Sequence, residues 1–464
     1  MKKSILALIF SGAILFTSCE TEATVDSAEV QKIVDAAVAA ALQNYPNTQV
    51  IAAAAAAAAT QAVNAGLASL DINGAIEAAL SAADALANPT VVRVGTGGVT
   101  YISSNTTWTN DKVWLMDGKI VVQNGATLTV EAGTIVKAAA GTGANATVLI
   151  VAKGAKIEAI GTAEKPIIFT DANDQIVYAN GTTSPNRSVT DKGLWGSVII
   201  LGNGIVGAAS GEANIEGVVS GYEFTKYGGS NNAENSGTLK YVSIRHTGTA
   251  VSPGNELQGL TMGGVGSGTV IENIELIGSE DDGIEIFGGA VNVTNIVIAN
   301  FDDDGIDLDQ AYDGTISNAV VIMAPGSDTV FEIDGTEEPN NAIVGEYTIK
   351  NVTAYGRSDA AKFDTFGNWK SDATGFNENV LFVDFPASTT LGGIDSDTYD
   401  GAGTAPIEGK LNFKDFIVVT SDSKATVVGG QVDEASATWI SVSTTRPSSK
   451  GADESVFGWT QFFN

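Results

Sequence analysis

Residues Ile271–Gly314 read IENIELIGSEDDGIEIFGGAVNVTNIVIANFDDDGIDLDQAYDG, and one pattern occurs in them twice. ENIELIGSEDDGIEIF and TNIVIANFDDDGIDLD align so that Asn273 recurs as Asn295, Asp282 as Asp304, Gly283 as Gly305 and Glu285 as Asp307. The offset is 22 residues, in the range of solenoids, where each repeat buries its apolar face on the next. In each copy an apolar strand runs into an acidic turn and then into a second strand.

Outward from this stretch the pattern continues as apolar-x-Asn-apolar-x-apolar. Asn318 and Asn351 fill the same slot, Asn379 marks a variant coil, and Tyr241 and Asp415 stand at the equivalent positions. The intervals run from 22 to 36 residues, so some turns carry inserted loops. Towards the N-terminus KIVV, TLTV, TIVK, TVLIV, KIEA, PIIFT and WGSVIIL are short β-rich runs bounded by Gly, Asn or Asp. No helical period separates them, which excludes βαβ units. The pattern predicts a mainly β chain folded as a right-handed parallel β-helix, its coils stacked at about 4.8 Å with alternate residues inward. Asparagines at one turn in successive coils then form a hydrogen-bonded ladder.

Residues 100–464 resemble a group of bacterial extracellular β-helix proteins common in Bacteroidetes. The resemblance rests on SSNTTWTNDKVWLMDGKIVVQNGATLTVEAGTIVKA, GLWGSVIILGNG, LQGLTMGGVGSGTVIENI, DDGIEIFGGAVN, DDDGIDLDQAYDG and the closing SVFGWTQFF. It implies the fold and a surface location, and no reaction. Relatives carry phenylalanine at several slots that hold isoleucine or leucine here, and Gly305 also replaces phenylalanine. An aromatic binding platform is therefore not carried over.

With the coils in register, Glu285, Asp307, Glu332 and Asp364 are expected to point outward from successive coils, beside Asp282 and Asp304. Carboxylates about 5 Å apart repel, which raises their pKa values or recruits a cation. Oxygen ligands of this kind suit Ca²⁺. The candidate metal ligands are thus Asp282, Glu285, Asp304, Asp307, Glu332 and Asp364. The bland alternative is a solvated acidic face, with Asp-Gly turns chosen because Gly supplies positive φ. A third reading makes Asp282 and Asp304 an acid–base pair for polysaccharide cleavage. Trp195, Phe287, Tyr312 and Tyr355 are read as packing residues, and Asp171–Gly193 as an exposed insertion.

The chain has 464 residues, 53 of them glycine, and a formal net charge of −30. Such a charge disfavours nucleic acid and favours cations or cationic partners. One histidine and one cysteine leave no His-rich metal site and no intramolecular disulfide. Residues 1–18 read as a signal peptide, with Lys2 and Lys3 before an apolar run too short to span a bilayer. Leu15–Cys19 resembles a bacterial lipobox, which makes Cys19 the lipidated first residue of the mature chain. Residues 19–26 form an acidic tether. The alanine-rich residues 27–90 are expected to be a helical spacer, and residues 91–464 the β-helix domain.

The expected function is a lipid-anchored binding or adhesion module on the outer membrane, facing the exterior. Its partner is a glycan or an outer-membrane protein, with Ca²⁺ as a structural or bridging ion. The alternatives are a polysaccharide hydrolase or lyase and a structural surface-layer component.

Overall fold

The computed structural model describes residues 89–464 except 178–180, 219–220, 250–256, 337–342, 344, 358–364, 395–398, 400–406, 408 and 464. The expected signal peptide, Cys19, the tether, nearly all of the spacer and Asp364 lie outside the described residues.

The expected fold is present: the chain is a right-handed parallel β-helix. One face is a nine-stranded sheet from Val99–Ile102 to Gly367–Lys370. The other two faces merge into a fifteen-stranded sheet. In the first coils these two faces are separate strands. Thr106–Trp108, Thr127–Val130 and Lys156–Ile160 stack beneath the first half of Gly237–Thr247, with Gly237 opposite Ile157 and Lys240 opposite Ile160. Lys112–Met116, Ile135–Ala138 and Ile167–Asp171 stack beneath its second half, with Val242 opposite Ile167. From Tyr241 onward a single residue makes the corner between the two faces.

That residue is Tyr241, Asn273, Asn295, Asn318, Asn351, Asn379 or Asp415, and each has φ between 51° and 62°. Left-handed backbone is costly for most side chains and more accessible to Asn and Asp, which explains why asparagine recurs there. The side chains also join the coils. Asn295 Nδ2 donates to Asn273 Oδ1 at 3.0 Å, Asn318 Nδ2 to Asn295 Oδ1 at 2.8 Å, and Asn379 Nδ2 to Asn351 Oδ1 at 2.7 Å.

The core is a set of aliphatic columns. Ile284, Ile306 and Phe331 are register partners on the first face, as are Ile286, Leu308 and Ile333. Ile274, Ile296, Ala319 and Val352 form a column on the merged sheet. All are buried in one cluster, each large aliphatic contributing about 1.5–3 kcal/mol. At the C-terminal edge Phe413 stacks on Trp439 with centroids 4.6 Å apart, and the helix Lys424–Val428 covers the last turns.

Two segments lie over this scaffold. The first, residues 202–236, covers the outer side of the nine-stranded sheet. Val121, Ile150 and Ile199 form an outward apolar column there, packed against Val206, Ile215, Val218, Phe224 and Tyr227. The second belongs to Asp171–Gly193, expected to be an exposed insertion; its residues 182–193 are instead docked. Arg187 makes a two-pronged bond to Asp171 at 2.7 and 2.6 Å. His246 Nδ1 lies 2.7 Å from the Asp191 carbonyl, Asn300 Nδ2 donates to the Val189 carbonyl at 3.0 Å, and Lys192 pairs with Asp302. His246, Gly278 and Asn300 all have positive φ, at 64°, 74° and 60°. They occupy one position in successive coils, and that column seats the loop.

Candidate functional site

The two acidic turns stack through their backbones. Gly283 N–H donates to the Asp304 carbonyl at 2.8 Å, and Gly305 N–H to the Thr329 carbonyl at 3.0 Å. The aspartates repeat the contact with their side chains. Asp282 Oδ1 accepts the Asp304 N–H at 2.8 Å, and Asp304 Oδ1 accepts the Thr329 N–H at 2.8 Å together with the Thr329 hydroxyl. The aspartate before each glycine thus ties its coil to the next.

The glycines have a different reason from the expected one. Neither Gly283 nor Gly305 has positive φ. A Cβ on Gly283 would lie 2.1 Å from Ile298 Cγ2, and one on Gly305 would lie 2.7 Å from Val321 Cγ1. The turn presses on the core column, and only hydrogen fits. Positive φ enters five and six residues after Gly283, at Gly288 and Gly289.

After the glycines the strands Ile284–Phe287, Ile306–Asp309, Phe331–Asp334 and Gly367–Lys370 stack in parallel. Thr261, Glu285, Asp307, Glu332 and Asn368 form one column. The expected fourth acid is therefore corrected: Asn368, not Asp364, is the register partner of Glu332. The flanking Ile284, Ile286, Ile306 and Leu308 face the core, so the carboxylates do leave the coil outward.

Glu332 stays partly exposed, but around Glu285 and Asp307 the expectation of a wet face fails. Asp282, Glu285, Asp304 and Asp307 are only 6%, 4%, 2% and 7% exposed. Part of the cover comes from residues 202–236. Gly207 N–H donates to the Gln310 carbonyl at 2.8 Å, and Gly289 N–H donates to the Ile205 carbonyl at 2.7 Å. Gln258 bridges Glu216 at 2.6 Å to Asp281 at 3.2 Å.

Burial brings three acids together. One oxygen from each of Asp282, Glu285 and Asp307 lies within 4.8 Å of the others. Glu285 Oε2 and Asp307 Oδ1 are buried with no hydrogen-bond partner. Desolvation raises all three carboxyls well above the usual range, with neighbouring carboxylates adding to it. Asp304 is displaced from the trio. It groups with Asp303 and Asp328, which are exposed, and burial pushes its pKa up to about 8. Glu332 is taken by Lys370, whose ammonium lies 2.5 Å away and also reaches Asp334 at 3.3 Å. Of the expected ligands the structure thus unites Asp282, Glu285 and Asp307, and sets Asp304 and Glu332 beside them.

Lys192, Lys370, Glu216 and Gln258 were not expected at the site. Lys192 arrives from 110 residues away in sequence, beyond any local signal. Trp195, Phe287 and Tyr312 pack as expected. The Trp195 ring N–H donates to the Arg245 carbonyl at 2.7 Å, Phe287 packs on Tyr227, and the Tyr312 hydroxyl donates to the Val291 carbonyl at 2.6 Å.

A family model described as a pectate-lyase-like beta helix domain matches residues 100–463. No curated protein matches. Among solved structures, the catalytic unit of a thermostable GH87 alpha-1,3-glucanase from Streptomyces thermodiastaticus strain HF3-3 is similar at 10% identity and a TM-score of 0.24. The likeness covers 69% of this chain and 63% of that one, and at that score it carries no argument about the site.

Proposed function

The chain belongs to the pectate-lyase-like beta helix domain family, and from that premise we propose that it is a lipid-anchored surface protein whose β-helix holds a divalent cation of the Ca²⁺ class. The cation sits among Asp282, Glu285 and Asp307 and supports binding of an extracellular glycan or an outer-membrane protein. One observation carries the reading: Glu285 Oε2 and Asp307 Oδ1 are buried and unpartnered, on side chains that each bring an oxygen to within 4.8 Å of the other.

Ionised carboxylates in a dry site cost several kcal/mol each unless a counter-charge is present. Two states relieve the trio, shared protons or a bound cation. The donor set decides which cation fits. Three carboxylates are hard oxygen ligands, of the kind that Ca²⁺ takes. The only histidine, His246, is engaged elsewhere, and the only cysteine is Cys19, so soft-metal chemistry has no ligands here.

The hydrolase or lyase alternative is compatible with the family, and one observation at the acidic turns favours it. A carboxyl with a pKa of about 8, as at Asp304, is protonated at neutral pH, as a general acid must be. Against it, Asp282 and Asp304 each spend Oδ1 on the next coil's backbone, and burial leaves a sugar chain no approach to either.

Titration calorimetry with CaCl₂ on the metal-stripped protein tests the proposal. Saturable binding that Mg²⁺ competes for poorly supports it. No heat and no stabilisation up to millimolar Ca²⁺ contradicts it, and favours a purely structural surface role.

A further inference from the structure

A solenoid's coils touch only their neighbours, so it unzips from its ends. Residues 444–463 of this chain break that rule. After the final strand, Ile440–Ser443, the chain turns back and runs along the outside of the merged sheet, opposite to the direction of stacking.

Its contacts fall on one coil after another. Lys450 Nζ pairs with Asp415 at 2.9 Å. Gly451 exchanges two hydrogen bonds with the Asn379 side chain, at 3.0 and 3.1 Å. Ala452 N–H donates to Thr353 Oγ1 at 2.9 Å. Asp453 exchanges two with the Asn318 side chain, at 2.7 and 3.2 Å. Phe457 is fully buried against Val297 and Val320. Trp459 meets Tyr241 edge-on at 5.4 Å, and Phe462 N–H donates to Glu275 Oε1 at 3.0 Å, 187 residues back in sequence. Glu275 is in turn held by Ser243 and Arg245.

Four of these partners, Tyr241, Asn318, Asn379 and Asp415, are the left-handed corner residues of their coils. The segment therefore grips the same ladder that joins the coils, and it closes it from outside. Its own fold is braced where it leaves the last coil: Arg446 lies 5.3 Å over the Tyr355 ring and bonds Glu454 at 2.5 Å, and the Tyr355 hydroxyl donates to Glu454 at 2.6 Å.

We propose that residues 444–463 are a fastening strap. They couple the coils from Tyr241 to Asp415, so that this half of the solenoid opens as one unit instead of fraying from its C-terminal edge. The coils before Tyr241 lie beyond its reach and keep nearest-neighbour behaviour.

Native-state hydrogen exchange on the full chain, and on a chain ending at Ser443, tests this. In the full chain, amides of Leu411–Val419 and of Val270–Ser279 exchange with one shared opening free energy. In the shortened chain Leu411–Val419 loses protection first and the two strands separate. A graded pattern already present in the full chain, or the same pattern in both chains, overturns the proposal. Should the shortened chain not fold, Phe457→Ala decides. Protection lost together at every coil that the strap touches supports coupling, whereas no loss, or loss confined to the strands of Val297 and Val320, overturns it.

Discussion

Glu285 and Asp307 are register partners on adjacent parallel strands, and each keeps a buried carboxylate oxygen without a hydrogen-bond partner. Two like charges so placed repel unless a cation or protons intervene. Glu285→Gln and Asp307→Asn remove the charge and preserve shape. Each should raise the melting temperature of the metal-free protein while reducing its response to Ca²⁺. Scanning calorimetry with EDTA and with Ca²⁺ reads both effects, and a variant that melts lower without metal contradicts the account.

The same repulsion sets a pH dependence. Burial raises the folded-state pKa of Asp282, Glu285, Asp304 and Asp307, whereas the unfolded chain releases these protons near pH 4. A raised folded-state pKa contributes stability that is full below the unfolded value and is lost as pH rises through the folded value. For Asp304 that value is about 8. Metal-free protein should therefore lose stability between about pH 4 and pH 8, and saturating Ca²⁺ should flatten the slope. Urea titrations at several pH values measure it, and a slope of opposite sign contradicts it.

The corner ladder predicts a residue-specific cost. Asn295 has φ of 57° and bonds Asn273 and Asn318. Asn295→Ala loses both bonds and forces a Cβ residue into left-handed backbone, which should cost about 2–3 kcal/mol. Asn295→Gly keeps the backbone free and should cost less. Equal losses in denaturant titrations would mean that φ plays no part.

Gly283 faces the core at a distance no Cβ tolerates. Gly283→Ala should cost about 1–3 kcal/mol through overpacking against Ile298. Paired with Ile298→Ala, which removes the opposing methyl, it should cost less than the sum of the two single changes. Strict additivity would place the strain elsewhere.

At the other end of the chain, Cys19→Ala should move the protein from the membrane to the soluble fraction, since acyl chains supply the proposed anchor. Membrane retention of that variant would point to another anchor.

Much of the fold is legible because it repeats locally. Asn273, Asn295, Asn318 and Asn351 announce one backbone conformation at one corner, and alternation in IEIF and IDLD announces which residues face the core. The cover over the acids was harder to read. The signal lies in KIVV, VLIV and VIIL, whose unbroken apolar runs mean burial on both faces, so something had to cover Val121, Ile150 and Ile199. That cover comes from residues 202–236, which also reach the ends of the acidic strands at Gly289 and Gln310. Asn368 fills the slot beside Glu332, and the sequence hides it because Phe363-Asp364, which lies outside the described residues, imitates the apolar-acidic pattern of Phe331-Glu332. Lys370 and Lys192 reach the acids through contacts with no sequence pattern at all.

The most direct test of the cation site is a crystal structure of the protein grown with Ca²⁺, read by anomalous scattering. The account predicts a peak between Asp282, Glu285 and Asp307, with oxygens at about 2.3–2.6 Å. A trio free of anomalous signal, with Ca²⁺ only at the exposed Asp303 and Asp328, would contradict it.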